Sequence, residues 1–101
     1  MATNFDLKFS NSFYQEFSDI ISYIQYELGN VIAAKNLIEK VDAEINKRLE
    51  NPMDFQVFYT PNHNKYYRIY INNYVILYTI TNSTMIVRRM FYYRRNIDEL
   101  L

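Results

Sequence analysis

The sequence predicts an α+β fold: an N-terminal strand, an antiparallel helix hairpin, then a three-stranded antiparallel meander, all in one domain over residues 1–101. Three observations carry this. Apolar residues recur three and four apart from Phe13 to Leu49, the period of a helix face. From Tyr66 onward the period drops to two, and the residues become β-branched and aromatic. Turn-formers stand between these blocks: Gly29-Asn30, two prolines within residues 51–65, Asn72-Asn73 and Asn82-Ser83.

FDLKF (5–9) alternates apolar and charged residues and predicts a short strand. Phe13, Phe17, Ile20, Ile24 and Leu28 then mark one face of a first helix. Ser12 with Gln15 has the spacing of a capping box, and Gly29 suits the helix end. Asn30 is placed to cap a second helix, with Val31, Ala34, Ile38, Val41, Ile45 and Leu49 as its apolar stripe and Lys35, Glu39, Asp42 and Lys47 outside. Pro52 stops it. So short a connection makes the two helices antiparallel neighbours. Residues 51–65 have little periodicity and predict a loop.

Strands are expected at about 66–71, 74–81 and 84–92. Asn72-Asn73 tolerates positive φ and favours a two-residue hairpin turn. That turn pairs Ile71 with Tyr74, Ile69 with Ile76 and Tyr67 with Tyr78, the more apolar face, which is assigned to the core. Tyr66, Arg68, Tyr70, Val75, Leu77 and Thr79 share the other face, expected to be open to water. A two-residue second turn places Arg88 beside Leu77; a three-residue turn places Arg89 there.

Composition excludes several chemistries. The chain has no cysteine, hence neither a disulfide framework nor a Cys-based zinc site. The single glycine leaves no glycine-rich phosphate loop. MATNFDLKFSNSF lacks the pattern of a signal peptide, and no apolar run reaches membrane-spanning length, so a cytoplasmic protein with no membrane contact is expected. The acids of both helices have the spacing of exposed faces, which argues against a paired-carboxylate site. His63, the single histidine, lies in the polar loop PNHNK and is expected to be solvated. No metal or other cofactor is expected. Charge is split along the chain: residues 1–56 carry five bases and nine acids, net −4, and residues 57–101 six bases and two acids, net +4. The basic half suits an acidic partner or a polyanion.

Three segments in order carry a family resemblance: YIQYELGNVIAAKNLIEKV (23–41), NNYVILYTI (72–80) and RRMFYYRRNIDELL (88–101). The chain resembles the RelE/ParE superfamily of toxins from bacterial type II toxin–antitoxin modules. The resemblance implies a toxin neutralised by a cognate antitoxin encoded by the adjacent gene, forming a hetero-oligomer with it. RelE-like members cleave mRNA on the ribosome; ParE-like members typically poison DNA gyrase.

Metal-independent RNA cleavage needs a base, an acid and cations for the phosphorane charge. The resemblance implies an arginine after Tyr74, where this chain has Val75. The residues left for chemistry are Arg68, Arg95 and Tyr92, with Arg88, Arg89, Arg94, Tyr66 and Tyr70 as candidates for contacting a target or a phosphate. Tyr93 and Asn96 replace the family's usual glycine and aspartate. Leu100 and Leu101 read as tail residues that dock on the helices. The loss at position 75 ranks a ParE-like growth inhibitor acting on gyrase first, a RelE-like ribosome-dependent mRNA interferase second, and a non-toxic antitoxin-binding module third.

Overall fold

Ser10 ends the first strand and starts the first helix. In the computed structural model, which describes residues 4–93, β1 (Asp6–Phe9) leads directly into α1 (Asn11–Ser22). The helix cap is Ser10 and not Ser12. Its backbone is extended, with φ −77° and ψ 158°, and its Oγ accepts from the Phe13 amide at 3.2 Å. Ser12 lies exposed within the helix, and Gln15 donates to Asp19 instead of closing a capping box.

The helix continues as a π-helical turn, Tyr23–Glu27. A wider turn shifts the residues after it around the axis, and Leu28, expected in the apolar stripe, is exposed. Gly29 takes positive φ (62°), and Asn30 caps α2 (Val31–Leu49) by accepting from the Ala33 amide at 2.9 Å. Ala34, Leu37, Val41 and Ile45 are the buried side of α2, while Val31 and Ile38 are exposed. Positions 37 and 38 both flank the stripe at helical spacing, and it is Leu37 that faces the sheet.

The connection holds a strand that its two prolines and weak periodicity hide. β2 (Val57–Tyr59) pairs antiparallel with β3 (Lys65–Ile71), with Phe58 opposite Tyr66. A tight turn joins them: the Thr60 amide donates to the Asn64 carbonyl, and Thr60 Oγ1 accepts from the Asn64 amide. His63 sits exposed at positive φ (65°) in that turn.

With β4 (Tyr74–Thr81) and β5 (Thr84–Tyr92) the sheet has the order β1-β5-β4-β3-β2, antiparallel except for the parallel β1–β5 pair. The first hairpin has the expected register, Ile71 opposite Tyr74 and Tyr67 opposite Tyr78. The helices cover the predicted face, where Tyr67, Ile69, Ile71, Ile76, Tyr78, Met85, Val87 and Met90 meet Phe13, Leu37, Val41 and Ile45. Tyr67 and Tyr78 stack at 5.0 Å, and the Tyr78 hydroxyl donates to the Pro52 carbonyl at 2.7 Å inside this core.

The second hairpin combines the two expected alternatives, the shorter turn with the Leu77–Arg89 pairing of the longer one. Its turn has two residues, with Thr81 opposite Thr84, yet Leu77 pairs with Arg89 and not Arg88. A β-bulge lies between: Tyr78 pairs with Val87, Leu77 with Arg89, and Arg88 is the extra residue. One extra residue reverses the alternation beyond it. Val87 and Met90 therefore both face the core, although three positions apart.

No described helix is long and apolar enough to cross a membrane. The expectations for Arg94, Arg95, Asn96 and the Leu100–Leu101 tail lie outside the described residues.

Candidate binding face

The sheet face away from the helices holds most of the candidate residues, but its centre is dry. Val75 and Leu77 are fully buried and pack with Phe91, Phe58 and Tyr66 as a second apolar cluster. The expected water-exposed Val75 is thus corrected. The alternation assigned it to the right face, but large neighbours cover it: Phe91 lies opposite Val75 on β5, and Tyr66 stacks on Phe58 at 5.8 Å.

Arginines ring this cluster, and two lie over aromatic rings. The Arg68 guanidinium stands 4.6 Å from the Phe58 ring centre and 6.0 Å from that of Tyr70. Arg89 stands 4.5 Å from the Phe91 ring centre. A guanidinium held over a ring, as that of Arg68 is, keeps its planar edge of N–H donors available for a carboxylate or phosphate. Because of the bulge, Arg88 joins the same face and donates its Nε to Thr79 Oγ1 at 3.0 Å. Both Arg88 and Arg89 therefore belong to the open side. With Tyr66, Lys65, Asn64 and Thr79, Arg88 lines a polar recess of about 340 Å³.

Arg89 is already paired. Glu16 of α1 accepts from its Nε at 2.9 Å and its Nη2 at 2.8 Å, and also from the Met90 amide at 3.1 Å. The pairing β1–β5 ends at Phe9–Val87, so among the described residues the β5 edge beyond has no strand beside it. Ser10 and Glu16 take its polar groups: the Ser10 hydroxyl donates to the Arg88 carbonyl, and Glu16 takes the Met90 N–H. The Glu16 bond is also the main reason the Arg89 guanidinium holds its proton more tightly than usual. Glu16 is thus no solvated helix acid. In sequence the pair lies 73 positions apart, with no local signal to join them.

The structure brings together Arg68, Arg88, Arg89, Tyr66 and Tyr70. It does not bring Tyr92 to them. Tyr92 pairs with Tyr74, meets it edge to face at 5.8 Å, and so lies on the helix side of the sheet. Burial, then the neighbouring Tyr92 and Tyr23, push the Tyr74 phenol above its usual value, so it holds its proton more tightly. Phe58 and Phe91, which seat the arginines, were not among the residues the sequence singled out. Phe58 lies in the unforeseen strand; Phe91 changes face only through the bulge. Arg94 and Arg95 lie outside the described residues.

The family described as ParE toxin of type II toxin-antitoxin system, parDE, matches residues 7–96. Among curated proteins no sequence matches. Among solved structures, the crystal structure of a RelB-RelE antitoxin-toxin complex from Methanococcus jannaschii is similar, with 21% identity and a TM-score of 0.50 over 93% of this chain and 99% of that one. At that identity the likeness speaks for the fold.

Proposed function

We propose, from the premise that this chain belongs to the ParE toxin family of type II toxin–antitoxin systems, that it inhibits growth by binding a protein target, DNA gyrase, and not by cleaving RNA. One observation carries the choice. Val75 occupies the strand position where the resemblance implies an RNA-cleaving arginine, and it is fully buried beneath Phe91 and its neighbours. Among the described residues the open face presents arginines and tyrosines around an apolar centre, with Glu16 spent on Arg89. That composition suits a protein interface: aromatic and arginine anchors over an apolar floor.

The similar structure is a toxin bound to its antitoxin, which supports a cognate antitoxin, encoded beside this gene, as the neutralising partner. Arg95 and Arg94 stay in the proposed contact set on their sequence motif. The interferase reading keeps one observation in its favour: Arg68 has no acidic partner among the described residues, and Arg88 only a neutral one.

Purified protein, freed from co-expressed antitoxin, tests the choice in two assays. Inhibition of gyrase supercoiling without loss of translation supports the proposal. Ribosome-dependent cleavage of a translated message, mapped by primer extension, overturns it in favour of the interferase. Silence in both assays, with no slowing of growth on expression, favours the non-toxic module.

A further inference from the structure

We infer that the recess around Arg88 is a binding site for a single carboxylate, an aspartate or glutamate side chain of the protein target, with Thr79 as the residue that positions the guanidinium for it. The inference rests on the protein-target reading and names the chemical group that this part of the open face takes.

Arg88 is held at both its backbone and its side chain. It is the extra residue of the bulge, and its carbonyl accepts from the Ser10 hydroxyl. Its Nε donates to Thr79 Oγ1 at 3.0 Å. Thr79 thereby takes the single N–H at the side of the fork and leaves the two Nη groups, whose outer edge matches the two oxygens of a carboxylate. Among the described residues no carboxylate pairs with Arg88. The recess that it lines has a volume of about 340 Å³ and no acid in its walls, and Asn64, Tyr66 and Thr79 border it with neutral hydrogen-bonding groups. Lys65 borders it too, but its ammonium stands 5.7 Å from the ring centre of Tyr67, which belongs to the core on the helix side of the sheet. The recess therefore holds one fixed positive charge, that of Arg88, which balances one carboxylate. The second charge of a phosphate monoester would stand there uncompensated, and a polyanion draws its affinity from several cations in a row. A guanidinium already held in place loses little side-chain freedom on binding, which favours capture of so small a group.

The test titrates acetate, and separately inorganic phosphate, into the folded protein at constant ionic strength near neutral pH. Arginine Nε–H signals are followed in proton–nitrogen correlation spectra, and the Arg88 signal is identified by its absence from Arg88→Gln. It should shift saturably with acetate, with a dissociation constant on the order of tens of millimolar, the strength of one charge-assisted bidentate pair. Phosphate should bind no more tightly. Thr79→Val removes the hydroxyl and should weaken acetate binding about threefold or more, while Thr79→Ser, which keeps it, should bind like the parent. A merely structural role for Thr79 would lower Tm and leave the acetate affinity unchanged. An Arg88 signal that does not saturate, phosphate binding tighter than acetate, or parental acetate affinity in a folded Thr79→Val protein each overturns the inference. The first two readouts need only the parent protein, so they decide even if Thr79→Val does not fold.

The supercoiling assay then tests whose carboxylate it is. Arg88→Gln should need at least about fivefold more protein for the same inhibition of gyrase. Parental inhibition by Arg88→Gln, with acetate binding lost, overturns the assignment to the target. If the parent protein leaves gyrase untouched, the target reading fails and the assignment to gyrase falls with it, while saturable acetate binding still upholds the carboxylate site. No gyrase enters the acetate titration, so the two failures are told apart.

Discussion

Leu77 faces Arg89 across β4 and β5, while its neighbour Tyr78 faces Val87. The residue skipped, Arg88, turns its side chain to the open face and its carbonyl to Ser10. One extra residue in a strand thus puts two consecutive arginines on one side of the sheet. It also supplies the acceptor that fastens the start of α1 to β5.

Ser10 consequently has two tasks, capping α1 and binding the Arg88 carbonyl. Ser10→Ala removes both and should destabilise the protein by about 1–2 kcal/mol, the upper part of the range for lost N-caps. Ser12→Ala, at an exposed position inside the helix, should change stability by less than about 0.5 kcal/mol. Urea unfolding of the two variants checks the contrast, and equal effects would contradict the cap at Ser10.

Val75 offers a sharper contrast between alternation and burial. Val75→Arg places a cation where the side chain has no exposed surface, among Leu77, Phe91, Phe58 and Tyr66. The expected result is a loss of about 3 kcal/mol or more, seen as poor solubility or a low Tm, and no gain in RNA cleavage. Val75→Ile, which stays apolar, should cost less than about 1.5 kcal/mol, or up to about 3 if the site has no room for the added methylene. A stable, soluble Val75→Arg protein would mean that the cluster opens easily to water.

The parts of the fold read correctly from sequence are those with a strict local signal. The Asn30 cap, the Asn72-Asn73 turn and the alternation of 66–80 each follow from short-range chemistry, and each is present. One local signal failed, the capping-box spacing at Ser12, where Ser10 caps instead and also binds the distant Arg88 carbonyl; the rest of what escaped depends on distant partners or on broken periodicity. β2 is three residues long and exists by pairing with β3. The Glu16–Arg89 pair joins the first helix to the last strand. The bulge did leave a trace: Met85 and Val87 are two apart, but the next core residue, Met90, is three further on. Such a change of parity inside one strand marks an extra residue. Of the candidate site, the arginines were legible as charges in the basic half; their seats on Phe58 and Phe91 were not.

Alkaline pH should act on two of the core-side tyrosines, Tyr74 and Tyr78. Burial pushes the Tyr74 and Tyr78 phenols above 10.0, with the Arg48 hydrogen bond to the Tyr78 hydroxyl only partly opposing it. A phenol whose folded value exceeds its unfolded one stays protonated in the native state while the unfolded chain ionises. The unfolded state therefore releases its protons first. Stability is unaffected below the unfolded value and falls as pH rises above about 10. Denaturant midpoints measured from pH 8 to 11 should show this decline. Tyr78→Phe should flatten it, and should also cost about 1–3 kcal/mol at neutral pH through the lost bonds to Pro52 and Arg48. An alkaline decline unchanged in both Tyr74→Phe and Tyr78→Phe would assign it to other groups.

Arg68 and Tyr92 lie on opposite faces of one sheet, so a single contact surface on the open face should depend on the first and not the second. Arg68 stands over Phe58 and Tyr70 at the rim of the apolar centre, with no acid beside it among the described residues. Its N–H edge is the better placed to meet a carboxylate of the target. Tyr92 stands against Tyr74 on the helix side. If the proposed gyrase target holds, Arg68→Ala should reduce inhibition of supercoiling at least about tenfold, the loss of one charged hydrogen-bonded anchor at an interface. Arg68→Lys should recover only part of it, because an ammonium keeps the charge without the planar fork. Tyr92→Phe should inhibit like the parent. The variants should have far-ultraviolet circular dichroism and Tm close to the parent, so that activity and folding are read separately. Supercoiling assays over a dilution series give the comparison. If Tyr92→Phe loses inhibition and Arg68→Ala keeps it, the contact surface is the helix side of the sheet, and the open face must be assigned another role.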